Sequence, residues 1–353
     1  MSAQFCCAHI RSGCRSPVVF VNERMVCRSI AATRAASPVT WVLHDGKAGM
    51  ASQALGLAEA AGFPFIEKRL EVRLPWKCLP PSFWFLPLAA TRVSDAALSP
   101  PWPDLVIGCG RNTAMPALAV RRANNGRTLA VQIQDPGVGR DEFDLLVVPE
   151  HDHLRGPRVI VTRGAVHRVT ASRLMAEAAR FPDLAALPRP VLSVLIGGAN
   201  RAYRLTFRKL GEIADAIAGI LRTQGGSALV TPSRRTGAAG IALLRDRLQS
   251  LPAAIWDGCG ENPYFAYLAL ADAFVVTADS VSMISEAAAT GKPVHILALH
   301  GGSRKFARFH AAMQSAGITR PFSGRIETWC YPIPDDTARA GAVLRELVTQ
   351  RRG

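Results

Sequence analysis

The stretch Leu187-Pro188-Arg189-Pro190-Val191-Leu192-Ser193-Val194-Leu195-Ile196-Gly197-Gly198 separates two halves of the chain that follow one plan. Its prolines interrupt an alternation of short apolar runs and helical stretches, because proline continues neither a helix nor the interior of a strand. The alternation then restarts with a predicted strand, Val191–Ile196, a glycine-bearing turn and a helix from about Phe207 to Leu221. This segment therefore indicates a joint between two domains.

Both halves contain continuous apolar runs separated by helical stretches. Strands that are buried on both faces and connected by helices favour a parallel sheet. We therefore predict an α/β protein with two Rossmann-like, doubly wound domains that face each other across a cleft, over residues 39–187 and 190–334. The last predicted helix, within residues 335–353, has no strand after it, and we expect it to pack back on the first domain. The predicted strands are Thr40–Leu43, Asp104–Ile107, Leu129–Ile133, Asp144–Val148, Val191–Ile196, Ser227–Val230, Ala273–Thr277 and Val294–Leu297.

Composition excludes several classes of protein. With 353 residues, 49% of them hydrophobic, the chain can bury two cores. The longest stretch without Asp, Glu, Lys or Arg, Cys78–Thr91, is interrupted by prolines and is too short to cross a bilayer as a helix. A net charge of +15 attracts phosphorylated small molecules, anionic membranes or nucleic acid. Nucleic acid is not expected, since basic and aromatic residues are not interleaved, and a generally Arg-rich proteome explains the excess equally well.

The terminal segment and the cysteines bear on location. Residues 1–38 are rich in Arg and Ser, which is typical either of a transit peptide or of a chain start placed too early. We predict that this N-terminal extension is disordered or is not part of the translated protein. The eight cysteines form no C-x-x-C pair, so we expect reduced thiols and a cytoplasmic protein.

Several catalytic signatures are missing from the sequence. No tyrosine is followed by lysine four residues later, which argues against a short-chain dehydrogenase or epimerase. Gly46-Lys47 and Gly291-Lys292 lack the Ser or Thr that completes a phosphate-binding loop. His151-Asp152-His153 has no third ligand in view and is expected to be an exposed loop. We therefore predict neither a metal site nor a cofactor.

The strongest site signal is the segment Thr277–Glu286. Asp279 or Ser280 caps a helix, and hydroxyl groups crowd its first turn, which suits a phosphate group. Glu286 lies on the same helical face as Ser282 and can accept hydrogen bonds from two vicinal hydroxyls, as a ribose offers. The alternative is an ordinary capped helix with a solvated glutamate.

Further candidates follow other strands, where ligands of open α/β sheets bind. Ser233-Arg234-Arg235-Thr236 suits a diphosphate or is a solvated basic turn, and Gly197-Gly198 lets the backbone approach a ligand. In the first domain, His44 or Asp45 is placed to take a proton from an acceptor hydroxyl. The remaining predicted substrate-binding residues are Gly46, Lys47, Gln53, Arg111, Asn112, Gln134, Asp135, Glu150, Asn262, Met283 and Lys305.

The strings WVLHDGKAGMASQALGLAEA (41–60), TPSRRTG (231–237) and TADSVSMISEAAATGKPV (277–294) resemble the mitochondrial-fission-type family, whose bacterial members are widespread. Members of that family resemble GT-B glycosyltransferases, which hold a sugar nucleotide mainly on the second domain. The resemblance implies that Ser280, Ser282 and Glu286 hold diphosphate and ribose and that an acceptor base lies near His44 or Asp45. The first loop departs from the lipid-linked sugar transferases, since it lacks a Gly-rich run that ends in His.

Two functions are consistent with these observations. The first is a metal-independent transferase that uses a nucleoside-diphosphate sugar and a lipid-linked or envelope acceptor, peripheral on the inner membrane. The apolar segment Trp76–Leu88, between Lys77 and Arg92, would rest on an anionic bilayer, unless its aromatic residues pack inward. The second is a non-enzymatic recruiting protein, as the fission resemblance implies. The polar residues that follow the strands favour the transferase.

Overall fold

The computed structural model describes residues 37–93 and 97–352, which contain two large sheets. We call the parts built on these sheets the first and the second lobe. The first lobe comprises β1 (Thr40–His44), α1 (Ala48–Ala61), β2 (Phe65–Val72), β3 (Thr91–Val93), β4 (Leu105–Cys109), α2 (Arg111–Ala123), β5 (Leu129–Ile133), β6 (Leu145–Pro149) and β7 (Val159–Thr162).

Two short helices, α3 (Ala171–Ala179) and α4 (Pro182–Ala185), lead to the second lobe. That lobe comprises β8 (Val191–Ile196), β9 (Tyr203–Arg204), α5 (Phe207–Gln224), β10 (Ser227–Pro232), α6 (Gly237–Leu248), β11 (Ala253–Ile255), α7 (Tyr264–Leu270), β12 (Ala273–Thr277), α8 (Val281–Ala288), β13 (Val294–Leu297), β14 (His300–Gly301), α9 (Arg304–Ser315) and β15 (Thr319–Pro321). The helix α10 (Asp336–Arg352) follows it.

The first sheet has the order β3-β2-β1-β4-β5-β6-β7, with β3 alone antiparallel to its neighbour. Strands β1, β4, β5 and β6 are buried along their whole length, as expected of strands covered by helices on both faces. The strand order reverses between β1 and β4. Open sheets of this kind bind ligands beside such a reversal, at the carboxyl ends of the strands.

The second sheet is parallel throughout, in the order β11-β10-β8-β12-β13-β15. Its strand order reverses between β8 and β12, so the turns that begin at Gly197 and Ala278 lie side by side. The predicted α/β architecture with two Rossmann-like domains is thus confirmed.

Helix α10 returns to the first lobe, as predicted, and packs against α1. Its side chains Leu344 and Val348 are buried in one core with Leu57 and Ala58 of α1. Gly341 allows the two helices to approach closely, because a Cβ atom there would lie 2.6 Å from the backbone carbon of Ala60. The C-terminal helix therefore joins the two lobes a second time.

The link between the lobes differs from the expected boundary near residue 187. Val169 and Leu174, at the start of the link, pack in a core with Leu268 and Phe274 of the second lobe. The polypeptide therefore leaves the first lobe soon after β7. Within residues 37–93 and 97–352, no helix has the length and apolar character needed to cross a lipid bilayer.

Candidate functional site

Helices α1 and α8 meet face to face where the two lobes touch, and we call this region between the lobes the crevice. Ser52 of α1 donates a hydrogen bond of 2.6 Å to Oε1 of Glu286, and Gln53 donates one of 3.3 Å to Oγ of Ser282. The helices approach closely because residue 49 is glycine: a Cβ atom there would lie 2.7 Å from Oγ of Ser282. Two residues that the sequence predicted for ligand binding on the second lobe thus face the first lobe directly.

Glu286 is the most buried acid of this contact, with 4% of its surface exposed. Its second oxygen, Oε2, accepts a hydrogen bond of 2.6 Å from the hydroxyl of Tyr264. Burial raises the pKa of Glu286, and the hydrogen bonds from Ser52 and Tyr264 together with the charge of Arg168 oppose that rise. Each carboxylate oxygen therefore receives one hydroxyl, which is the pattern that a vicinal diol would satisfy.

The turn before α8 is anchored by Asp279 and capped by Ser280. The hydroxyl of Ser280 accepts a hydrogen bond from the N–H of Met283, so Ser280 rather than Asp279 is the N-cap. The buried carboxylate of Asp279 accepts hydrogen bonds from Oγ1 of Thr277 at 2.7 Å and from the N–H of Gly198 at 3.0 Å. Asp279 therefore holds the turns after β8 and β12 together.

The two adjacent arginines after β10 have different surroundings. Arg235 pairs with Asp279 at 2.9 Å and donates to the carbonyl oxygens of Gly198 and Ala199, so its guanidinium is occupied within the second lobe. Arg234 is exposed and reaches across to the carbonyl oxygen of Gly46 at 3.0 Å. The neighbouring predicted residues, Ser233 and Thr236, both donate to the carbonyl oxygen of Gly197.

His44 is buried, and both of its ring nitrogens have partners. Nδ1 accepts a hydrogen bond of 3.1 Å from the N–H of Gly46, so Nε2 carries the proton and donates to Oε1 of Glu67 at 2.7 Å. A neutral histidine in this arrangement has no free lone pair with which to take a proton from a substrate. His44 therefore shapes the turn after β1 and is not poised as a base.

Asp45, by contrast, points its carboxylate at polar groups of the same loop cluster. It accepts a hydrogen bond of 3.2 Å from Nδ2 of Asn112 and pairs with the ammonium group of Lys47. Its Oδ1 also accepts a hydrogen bond of 3.4 Å from the N–H of Lys47, and its side chain is 11% exposed. A carboxylate can accept about four hydrogen bonds, so Asp45 retains the capacity to accept another, which His44 lacks.

A relay of amides connects the first lobe's turns to α8. Nε2 of Gln134 donates to Oε1 of Gln53 at 3.2 Å, and Gln53 in turn donates to the carbonyl oxygen of Gly49 and to Ser282. Gln134 has a φ angle of +68°, a conformation that non-glycine residues seldom adopt and that often marks a functional turn. The structure thus brings the predicted Gln53, Gln134 and Ser282 together.

Other predicted residues lie away from this contact or have structural partners. Asp135 pairs with Arg140; burial alone would raise its pKa, but the hydrogen bonds from Arg140 and from the N–H of Gly137 lower it. Asn262 accepts a hydrogen bond from the N–H of Tyr264, and Glu150 is exposed. Arg111 stands at the first position of α2, whose N-cap is Gly110.

The segment His151-Asp152-His153 is not the exposed loop that the sequence suggested. His151 is buried, and burial lowers its pKa to about 4. Asp152 pairs with Lys305 of the second lobe, and Arg308 donates to the carbonyl oxygen of His151. The segment therefore bridges the lobes. Among the residues that the structure describes, no group of three or more His, Cys, Asp or Glu side chains is arranged to hold a metal ion.

Sequence reasoning missed four partners of the site: Ser52, Glu67, Tyr264 and Asp152. Ser52 stands beside the predicted Gln53, and Tyr264 follows the predicted Asn262 by two positions. The roles of these residues depend on which surfaces of the two lobes are in contact. The local pattern of residues along the chain does not contain that information. For Glu67, alternation of exposed and buried positions along β2 is the one signal that could have placed it beside β1.

Comparisons with known proteins agree with this fold. The family model described as mitochondrial fission ELM1 matches residues 48–348. Mitochondrial fission protein ELM1 of Arabidopsis thaliana is 34% identical over 277 residues, which cover 70% of this chain and 65% of that protein, so the match spans less than two thirds of its length. An uncharacterised protein of Rickettsia prowazekii (strain Madrid E) is 27% identical, over 72% of this chain and 82% of its own.

Two solved structures share the two-lobe architecture. UDP-GlcNAc 2-epimerase from Methanocaldococcus jannaschii has a TM-score of 0.54 at 11% identity, over 88% of this chain and 99% of its own. Os79 from O. sativa in complex with UDP has a TM-score of 0.50 at 9% identity, over 89% of this chain and 94% of its own. At these identities the likeness shows the fold alone. The family model spans most of the chain, and the chain therefore belongs to the mitochondrial fission ELM1 family.

Proposed function

We propose that this protein binds a nucleoside-diphosphate sugar between its lobes and transfers the sugar to an acceptor without a metal ion. One observation carries the proposal: the short stretch from Gly46 to Ser52 contacts Arg234, Ser282 and Glu286 of the second lobe. The part of the stretch within α1, from Ala48 to Ser52, spans about 6 Å at a rise of about 1.5 Å per residue, and the two residues before the helix bring the span to on the order of 10 Å. Positive charge, a helix N-terminus and a diol-accepting carboxylate therefore line up over the length of a nucleoside diphosphate.

The residues divide the ligand between them. The exposed guanidinium of Arg234 and the N-terminus of α8, with the hydroxyl of Ser282, are suited to the diphosphate. Glu286 is suited to the ribose hydroxyls, which would replace those of Ser52 and Tyr264. Cationic and N–H groups of this kind stabilise the charge of a departing nucleoside diphosphate, the role that a metal ion has elsewhere. The chain's net charge of +15 favours the approach of such an anion.

The acceptor side belongs to the first lobe. Asp45 is the candidate base, because its carboxylate can accept more hydrogen bonds than the three that it receives, whereas both nitrogens of His44 are engaged. The acceptor would be lipid-linked or part of the cell envelope, and the protein would work at the cytoplasmic face of the inner membrane. The shared fold with UDP-GlcNAc 2-epimerase and with UDP-bound Os79 supports a nucleotide-sugar ligand.

A thermal-shift screen with UDP, GDP and their sugar conjugates tests the proposal. We expect at least one ligand to raise the melting temperature, and we expect Arg234→Ala and Glu286→Ala to abolish that rise. Arg208→Ala is the matched control, since Arg208 is an exposed arginine of the same lobe with 78% of its side chain accessible. Absence of any shift across the panel, or an equal loss in the control, would contradict the proposal.

A second candidate is a recruiting protein without enzymatic activity, in line with the name of the Arabidopsis relative. The observation that favours it is that the protein itself already satisfies both oxygens of Glu286. A lobe contact complete in this way needs no ligand to be stable. The recruiting function predicts that Asp45→Asn and Arg234→Ala leave every cellular phenotype of the protein unchanged, whereas the transferase predicts its loss.

A further inference from the structure

An exposed group of apolar side chains lies between β2 and β3 in the first lobe. Leu74, Phe83, Phe85 and Leu86 expose 71%, 68%, 60% and 69% of their surface, and we call these four residues the apolar tip. Large apolar side chains at such exposure are normal when single, but four in one short insertion are not. We therefore expect these side chains to be buried against a binding partner.

The tip is held outward by its own framework. Trp84 lies between Phe83 and Phe85 but is buried, and its indole N–H donates to the carbonyl oxygen of Leu79 at 3.2 Å. The indole N–H of Trp76 donates to the carbonyl oxygen of Phe85 at 2.8 Å. Leu86 has a φ angle of +53°, which is costly for a leucine. The backbone therefore fixes the orientation in which these side chains are presented.

The chain segment that carries the apolar tip is basic. Arg73, Lys77 and Arg92 are exposed, and the sequence from residue 73 to residue 93 contains no Asp or Glu. Side chains that are 60% exposed or more project from the surface instead of lining a groove, so a partner helix would find no hollow to occupy. Protruding apolar and aromatic side chains in a segment whose charged residues are all basic match the interface of an anionic bilayer.

We propose that the apolar tip docks this protein on an anionic membrane surface, with Phe83, Phe85 and Leu86 entering the boundary between headgroups and acyl chains. The register between β1 and β2 pairs His44 with Arg69, so β2 ends at the same sheet edge as the turn after β1. Docking there brings the bilayer to the acceptor side of the crevice. That last consequence, delivery of a lipid-borne acceptor to Asp45, rests on the proposed function, whereas docking itself does not.

Co-sedimentation with vesicles tests the docking. We expect the full chain to bind vesicles of phosphatidylglycerol and phosphatidylcholine but not vesicles of phosphatidylcholine alone. Phe83→Ser/Leu86→Ser should weaken binding by about tenfold or more, because each apolar side chain contributes strongly to partition into the interface. Lys77→Gln/Arg92→Gln should weaken it by about fivefold for each charge and flatten its salt dependence.

The matched control is Met175→Ser/Phe207→Ser, which removes two apolar side chains of similar exposure, 73% and 60%, from outside the tip. The proposal is overturned if the full chain ignores anionic vesicles at low salt, or if the tip variant and the control bind equally. It is also overturned if the tip variant changes only self-association in gel filtration. Nucleotide-induced melting shifts in the same variants separate the two proposals, since the tip variant should retain them.

Discussion

Replacement of Ser52 by alanine should destabilise the ligand-free protein and strengthen nucleotide binding at the same time. The hydroxyl of Ser52 donates at 2.6 Å to a carboxylate oxygen of Glu286 that is buried and belongs to the other lobe. In the variant that oxygen has lost its donor within the closed crevice. The closed, ligand-free state is therefore the state that the substitution weakens.

The size of the effect follows from the type of bond. A hydrogen bond to a charged group contributes about 1.5–3 kcal/mol, and a buried acceptor left without a partner loses that contribution in full. We expect the free energy of unfolding to fall by about 2 kcal/mol at neutral pH. A ribose hydroxyl that binds Glu286 no longer has to displace Ser52, so the nucleotide affinity should rise by up to about thirtyfold, since about 1.4 kcal/mol corresponds to a factor of ten.

Urea unfolding gives the first quantity, and nucleotide titration by calorimetry gives the second. Ser172→Ala is the matched control, because Ser172 is an exposed serine on α3 whose hydroxyl contacts only Thr170 among the described side chains. A decrease of nucleotide affinity in Ser52→Ala would refute the reasoning, since it would show that Ser52 supports the ligand instead of competing with it. An unchanged free energy of unfolding would show that the hydrogen bond between Ser52 and Glu286 does not stabilise the contact between the lobes.

Three further predictions concern the same crevice. Arg235→Ala should lower the free energy of unfolding by about 1–3 kcal/mol, because it leaves the buried carboxylate of Asp279 without its cation. Arg234→Ala should change the free energy of unfolding by less than about 0.5 kcal/mol. Urea midpoints of the two variants test this difference, and equal midpoints would contradict it. Burial raises the folded-state pKa of Glu286 above its ordinary value of 4.5, so the folded protein holds this proton more tightly and loses stability as pH rises from that value through the raised pKa. Glu286→Gln should remove this contribution, so that stability falls less with rising pH in the variant than in the native protein, and identical pH profiles of the two proteins would contradict the prediction. Gly197→Ala should cost about 1–3 kcal/mol, since the new Cβ would lie 2.3 Å from Oδ2 of Asp279, and a melting temperature equal to that of the native protein would contradict the placement of that turn.

The sequence predicted the buried strands well because their pattern has one cause. The predicted bounds of β8, β12 and β13 coincide with the structure, since strands covered on both faces must be apolar throughout. Strand β2 escaped prediction because it carries Glu67, Lys68, Arg69 and Glu71 near the edge of its sheet. Lys68 is nonetheless buried there, and its ammonium group lies 4.3 Å from the ring centroid of Trp41. This contact cannot be predicted from the local sequence.

The candidate site was predictable in part for a topological reason. The turns after β1, β8 and β12 stand at carboxyl ends beside a reversal of strand order, and the turn after β10 lies at the same edge of the sheet, next to β8. The polar residues found there follow from sequence position alone. The partners that complete the site do not. Ser52 and Glu286 are 234 residues apart, so their contact depends on the docking of two lobes and not on any local motif. The sequence likewise did not decide that Trp84 is buried while its neighbours Phe83 and Phe85 are exposed, because this too depends on how the segment packs on the rest of the lobe.

The chemistry of the lobe contact bears on whether the crevice serves a ligand. A carboxylate that is 4% exposed between two helices is expensive to bury, and well-packed apolar side chains at its place are often equally or more stable. Glycine at residue 49 and serine at residue 282 likewise give α1 and α8 close approach with little apolar area. Apolar side chains would often hold the two lobes together at least as well as Gly49, Ser52, Gln53, Ser282 and Glu286 do. The same set can exchange its internal hydrogen bonds for those of a polar, diol-bearing ligand, as the proposed function requires.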